Sequence, residues 1–245
     1  MSRTDTNDPT RSARPARATA PATSTIGRAR RRVAAAAVLA GLALPLAGFG
    51  VADLVNPGWS PVERMVSYYV HAPRAGWLIP AGALVLAAAS TGLLRLAAPR
   101  TRGGRTGLWL LGVWCAGLLA GGLFPTDPYG QWDRPPSVAG AVHGVAALTA
   151  FAVLPVAAVL LTRVWRRDIR RRPFAAVLTG AAALTVLAFL GFVVIGGDVM
   201  AGGPSLTVGG YESVAGLAER VLLWSYALWL GTAAIGLRHM PRQGR

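Results

Sequence analysis

Six apolar runs, each close to the thickness of a bilayer, dominate this chain. They cover about residues 33–55, 76–97, 107–124, 138–162, 174–197 and 214–237. An α-helix rises about 1.5 Å per residue, so about 20 residues cross about 30 Å of hydrocarbon. Five runs reach that length comfortably. The third is shorter, at about 18 residues, and ends at Phe124-Pro125.

The rest of the composition agrees with a membrane chain. Of 245 residues, 53% are hydrophobic and 14% are charged. A soluble domain usually carries about 25% charged residues. The apolar runs alternate with short Arg-rich or Gly/Pro-rich connectors, as in polytopic membrane proteins. The expected fold is therefore all-α: a polytopic transmembrane bundle of six helices forming one membrane domain over 33–238.

Residues 1–32 are rich in Ala, Thr, Ser, Pro and Arg and hold almost no large apolar side chain. Such a segment cannot bury enough surface to offset its ordering entropy, so disorder is expected. It ends on Arg28, Arg30, Arg31 and Arg32, just before the first apolar run. That order resembles a signal peptide, but signal h-regions span about 7–15 residues. This run is longer, and it reads as a retained first helix. Residues 239–245 read as a short C-terminal end.

The formal net charge is +15, with 25 arginines and no lysine. A sequence pI near 11.7 invites a nucleic-acid reading. Position argues against it, because the arginines sit at the ends of apolar runs, where they orient helices and meet anionic lipid headgroups. The tail and the connectors after the second, fourth and sixth runs hold 21 arginines, and the other three connectors hold Arg64, Arg74 and Arg134. The positive-inside bias then predicts both termini in the cytoplasm. Seven of the ten acids fall on the opposite, outer side. The expected partners are membrane lipids, with no nucleic acid; oligomeric state is left open.

The first outer connector has its own pattern. Ser60-Pro61-Val62-Glu63 matches a capping box with Pro at the first helical position. Val62, Met65, Val66 and Tyr69 follow at helical spacing, so 60–71 is expected to be a short amphipathic helix on the outer interface. It stops at Ala72-Pro73. Gly117-x-x-x-Gly121 and Gly140-x-x-x-Gly144 would allow close helix approach. No internal repeat of transporter type is evident. The single cysteine, Cys115, lies inside an apolar run and permits no intrachain disulfide.

Ionisable groups within apolar runs are costly, so each is a functional candidate. His143 lies about six residues into the fourth run, roughly 9 Å along the axis. Glu219 and Arg220 lie at similar depth in the sixth, and Asp127 follows the third. Glu63, Ser67 and His71 share one face of the expected surface helix. Together Ser67, Asp127, His143, Glu219 and Arg220 form a candidate outer polar cluster, with no catalytic residue assigned.

Each candidate also has a structural reading. Asp127 before Pro128 suits an Asx turn. A lone His in an apolar helix commonly bonds a neighbouring carbonyl. Glu219 and Arg220 could snorkel to headgroups. Arg220 should have a carboxylate partner, with Asp127 and Asp198 the first candidates. His71, His143 and Asp127 could supply three zinc ligands, but no tight His-x-x-x-His spacing fixes them. Ser67, His71 and Glu63 on one helix rarely give nucleophile, base and orienter geometry. No metal site and no cofactor are therefore expected.

Four segments occur in order along the six runs: Glu63-Arg64-Met65-Val66-Ser67-Tyr68, Phe124-Pro125-Thr126-Asp127, His143-Gly144 and Gly216-Leu217-Ala218-Glu219-Arg220. In this order and topology the chain resembles the domain-of-unknown-function 998 family of prokaryotic membrane proteins, over about 40–240. The resemblance implies a six-helix membrane protein with Ser67, Asp127, His143 and Arg220 as the positions to watch. It supplies no mechanism.

Three functions fit these expectations. The first is binding or transport of a lipid or small anionic molecule, with Arg220 and His143 holding an anionic headgroup in an outward-facing polar pocket. The second is an outward-facing membrane hydrolase using His143 and Asp127. The third is a structural or accessory subunit whose charges are internal pairs.

Overall fold

The computed structural model describes residues 23–168, 172–201, 203–205 and 207–238. Six long helices follow one another: α1 (Thr23–Val55), α2 (Leu78–Ala97), α3 (Arg105–Leu123), α4 (Val138–Asp168), α5 (Arg172–Met200) and α6 (Ala215–Leu237). Each contains a stretch long and apolar enough to cross a membrane, from 19 residues in α3 to 30 in α4. Many of the large apolar side chains point outward, among them Leu54, Val138, Leu187 and Val194. A soluble bundle would place polar residues there. Lipid is the solvent that accepts this surface.

Helices adjacent in sequence pack side by side, and α6 touches α1, α2, α4 and α5. The span in α6 is accordingly 67% buried, against 28% to 39% for the other five. The bundle has two unlike ends. One carries the arginine-rich connectors, and the other carries connectors 56–77, 124–137 and 201–214, called the connector end below.

Buried polar aromatics are paired, as an interior without water requires. The Trp114 indole donates to Ser90 Oγ at 3.0 Å, and Trp229 donates to Thr162 Oγ1 at 3.0 Å. Trp165 donates to Thr101 Oγ1 at 2.9 Å and stacks on Trp229, with ring centroids 6.0 Å apart. These contacts link α2 to α3, α4 to α6, and α4 to the connector between α2 and α3.

Two expectations change. Residues 23–32, expected to be disordered, continue α1 as helix; residues 1–22 and 239–245 lie outside the described residues. The stretch 60–71 is not one helix: turns cover 61–64, and only Val66–His71 is regular, as a 3-10 helix. Half of the capping box is present, since Glu63 N–H reaches Ser60 Oγ at 3.4 Å. Arg64 N–H still reaches the Ser60 carbonyl at 2.9 Å, but neighbouring backbone groups take partners on α6. Leu217 N–H donates to Val62 C=O at 2.9 Å, and Val66 N–H donates to the Glu219 carboxylate. The apolar stripe Met65, Val66 and Tyr69 is buried in the bundle core.

The glycine spacings separate on inspection. A Cβ at Gly117 would meet the Ala150 Cβ at 2.8 Å and the Ala146 carbonyl at 2.9 Å, so Gly117 sets the α3–α4 approach. A Cβ at Gly144 would meet nothing within 4 Å. Gly117→Ala should therefore cost about 1–3 kcal/mol by forcing the two helices apart. Gly144→Ala should leave thermal unfolding in detergent unchanged. Equal effects of the two would refute this assignment.

Candidate functional site

The connector 56–77 is held at both ends and in its middle. Asn56 follows the last turn of α1, and its side chain imitates a backbone strand. Its Oδ1 accepts from Arg74 N–H at 3.1 Å, and its Nδ2 donates to the carbonyls of Ala52 and Arg74, both at 2.8 Å. The middle lies across the first turn of α6. A Cβ at Gly216 would overlap the Arg64 carbonyl, so only glycine admits the connector backbone this close.

Arg220 fixes the same backbone from the side. Its Nη1 donates to the carbonyls of Arg64 at 2.9 Å and Gly216 at 3.0 Å. Its Nε and Nη2 form a fork on Asp53 of α1, at 3.2 and 2.5 Å. Asp53, rather than Asp127 or Asp198, is thus its partner. Asp198 bonds Ser205 instead, and Asp127 bonds Ser137. Depth along the helix axis could not separate Asp53 from Asp198, because each lies two residues from the end of its helix. Lateral packing of α6 decides it.

The second connector is fastened through its carbonyls. His71 Nε2 bonds the Thr126 carbonyl at 2.7 Å, and His143 Nδ1 lies 2.9 Å from the Phe124 carbonyl and 3.2 Å from that of Gly121. Carbonyls only accept, so Nδ1 of His143 carries the proton. On the neutral ring this leaves Nε2 as an acceptor. Asp127 accepts from Ser137 N–H at 2.9 Å, while Ser137 Oγ caps α4 by accepting from Gly140 N–H at 3.0 Å. A Cβ at Gly140 would overlap the Asp127 carboxylate. Hydrogen bonds from Ser137 hold the Asp127 carboxyl below the ordinary carboxylate range.

Between these fastenings lies a cavity of about 160 Å³. Each helix contributes to its wall, through Phe49, Leu86, Leu118, Phe151, Phe192 and Leu223. Ser67, Tyr68, His143 and Glu219 add polar atoms. Leu148 of α4 and Met200 of α5 also line it, and both are exposed, so the cavity reaches the surface beside them. Burial and the nearby Glu219 charge push the Tyr68 phenol up to about 12, which keeps it a neutral hydroxyl at ordinary pH.

Of the sequence candidates, Ser67, His143 and Glu219 therefore share one cavity, while Asp127 and Arg220 do not line it. Glu63, Ser67 and His71 diverge: Glu63 accepts from Glu212 N–H at 3.0 Å, His71 bonds Thr126, and Ser67 faces the cavity. Among the described residues, no group of three His, Cys, Asp or Glu is placed to hold a metal ion. Arg64 lies between two aromatic rings, 4.8 Å from the Trp59 centroid and 4.4 Å from that of Tyr129. Asp53, Asn56 and Tyr68 were not among the sequence candidates. Asp53 had a signal, as an acid inside an apolar run at the end where Arg220 lies. Tyr68 had none, because facing a cavity is a tertiary property.

Fold and site together define a multi-pass helical membrane protein with a cavity at its connector end. The chain belongs to the family described as Protein of unknown function (DUF998), whose model matches residues 38–236. All four segments that carried the resemblance fall inside that range. No curated protein and no solved structure matches the chain.

Two outcomes test the fastenings. The Asp53 and Arg220 side chains are 22% and 12% exposed, so Arg220→Ala should cost about 3 kcal/mol, the low end for breaking a buried pair. Asp53→Ala with Arg220→Ala should cost less than the two single changes added, since no charge is left unpaired. An additive double variant would overturn the pairing. Asp127→Asn should destabilise at neutral pH. Because the folded Asp127 value lies below the ordinary one, its contribution is complete above about pH 4 and is lost as pH falls through the folded value. Unfolding temperatures of wild type and variant should converge in acid.

Proposed function

We propose that this protein binds a single-chain amphiphile in the connector-end cavity, and that the ligand enters from the bilayer between α4 and α5. The observation that supports this most is the combination of apolar walls from six helices with a cluster of polar atoms and a surface opening beside Leu148 and Met200. An apolar tail loses nothing on leaving lipid for such walls, and the polar atoms fix its head. Arg220 is a poor anion clamp here, because four of its five N–H groups already bond Asp53 and two carbonyls.

The hydrolase reading has less support. A His–Asp pair needs the carboxylate on the ring, and the His143 Nδ1 bonds carbonyls while Asp127 bonds Ser137. The protein purified in mild detergent should carry a co-purifying lipid detectable by mass spectrometry. Ala147→Phe, which fills the cavity from α4, should reduce its occupancy about tenfold with folding intact. Unchanged occupancy would sink the proposal.

We further propose that the connector end faces outward from a prokaryotic plasma membrane, with the arginine clusters against anionic cytoplasmic headgroups. Gly58 is exposed, and a Cβ there would meet nothing within 4 Å. In a Cys115→Ala background, Gly58→Cys should react with a membrane-impermeant maleimide on intact cells. Labelling only after lysis would reverse the orientation.

A further inference from the structure

Resting on the amphiphile site proposed above, we infer that its ligand carries a cationic amine head rather than an anionic one. The cavity lining contains one formally charged side chain, Glu219, and no arginine. Glu219 is 4% exposed, which is deep burial for a carboxylate. Such a charge is costly unless it is paired or well hydrogen-bonded. The arginine next to it in sequence does not neutralise it, because Arg220 forms its fork on Asp53. Two carboxyl groups and one guanidinium meet in this region, so Glu219 has no cationic side chain of its own in the cavity lining.

The hydrogen-bond inventory points the same way. A carboxylate offers about four acceptor positions on two oxygens. The backbone N–H groups of Val66 and Ser67 engage Glu219 and leave acceptor capacity on this cavity-lining side chain. His143 also lines the cavity with its Nδ1 directed at the Phe124 carbonyl, and a neutral ring in that tautomer offers Nε2 as a second acceptor. Ser67 Oγ adds a third. A primary ammonium has three donors and one positive charge, matching this set. Tyr68 provides a neutral aromatic neighbour that a cation tolerates well. A carboxylate or phosphate head would meet Glu219 with no counter-charge in the lining.

The enclosed volume sets the size. At about 160 Å³, it is comparable to the roughly 150 Å³ cavity that holds benzene. It therefore takes the head and first methylenes of one chain, with the rest of the tail passing out beside Leu148 and Met200.

Three amphiphiles with one tail test this: dodecylamine, dodecanol and dodecanoate. The full chain in phosphatidylcholine nanodiscs is titrated with each, and bound molecules are counted by native mass spectrometry against empty discs. Dodecylamine should bind at least about tenfold more tightly than dodecanol, and dodecanoate most weakly. Glu219→Gln keeps an acceptor for Val66 N–H, so it should abolish the preference for dodecylamine over dodecanol. Equal binding of all three by wild type, or preference for dodecanoate, overturns the amine assignment while the cavity site stands. Binding of none overturns the site as well. The wild-type ranking decides the matter even if Glu219→Gln does not fold.

Discussion

The connector end depends on one exchange of hydrogen bonds. Between Val62 and Ser67, backbone groups that a local helix would pair internally are paired with α6. Leu217 N–H, the Glu219 carboxylate and the Arg220 guanidinium receive or supply those bonds. Gly216 makes the approach sterically possible. Inside or near hydrocarbon an unpaired N–H or C=O costs several kcal/mol, so this irregular stretch is stable only where α6 completes it. The segments 63–68 and 216–220, about 150 residues apart, are thus two halves of one contact.

The same reasoning covers the other pair of segments. Phe124 and Thr126 offer carbonyls that no helix satisfies, and His143 and His71 reach them. Asp127 secures the start of α4 through Ser137. Residues that look catalytic in a list of ionisable groups therefore act first as partners for loop backbone. Only after those bonds are assigned does a remainder stand out: one carboxylate oxygen pair with spare capacity, one imidazole nitrogen and one hydroxyl, all bordering the same cavity.

Hydropathy made the six helices legible, because lipid imposes length and composition on each of them independently. The helix limits in sequence and structure differ most at the start of α1, at Thr23 instead of 33, and at the end of α4, at Asp168 instead of 162, where arginine-rich stretches remain helical. The 60–71 segment was misread for a different reason. Its apolar spacing and cap are helical signals, but Pro61, Val62 and Arg64 carbonyls face α6, and local pattern carries no information about a helix 150 residues on. Depth along the axis put Arg220, Glu219 and His143 at one level. It could not say that α6 turns Arg220 toward Asp53 and Glu219 toward the cavity.

That division follows from helix geometry. Successive residues on a helix are about 100° apart, so Glu219 and Arg220, although both bond the connector backbone, direct their remaining capacity to different neighbours. The placement of α1 gives Arg220 a carboxylate, and the connector gives Glu219 two backbone donors. Were the charges of 219 and 220 purely a structural couple, the arginine would be expected to reach back to its neighbour, leaving the cavity neutral. Instead the Asp53–Arg220 pair lies outside the cavity lining and the Glu219 carboxyl group lines it. A bundle that needed only rigidity could fasten the Val66 N–H with a neutral acceptor such as Gln. A charge in its place has a use when something positively charged arrives to meet it.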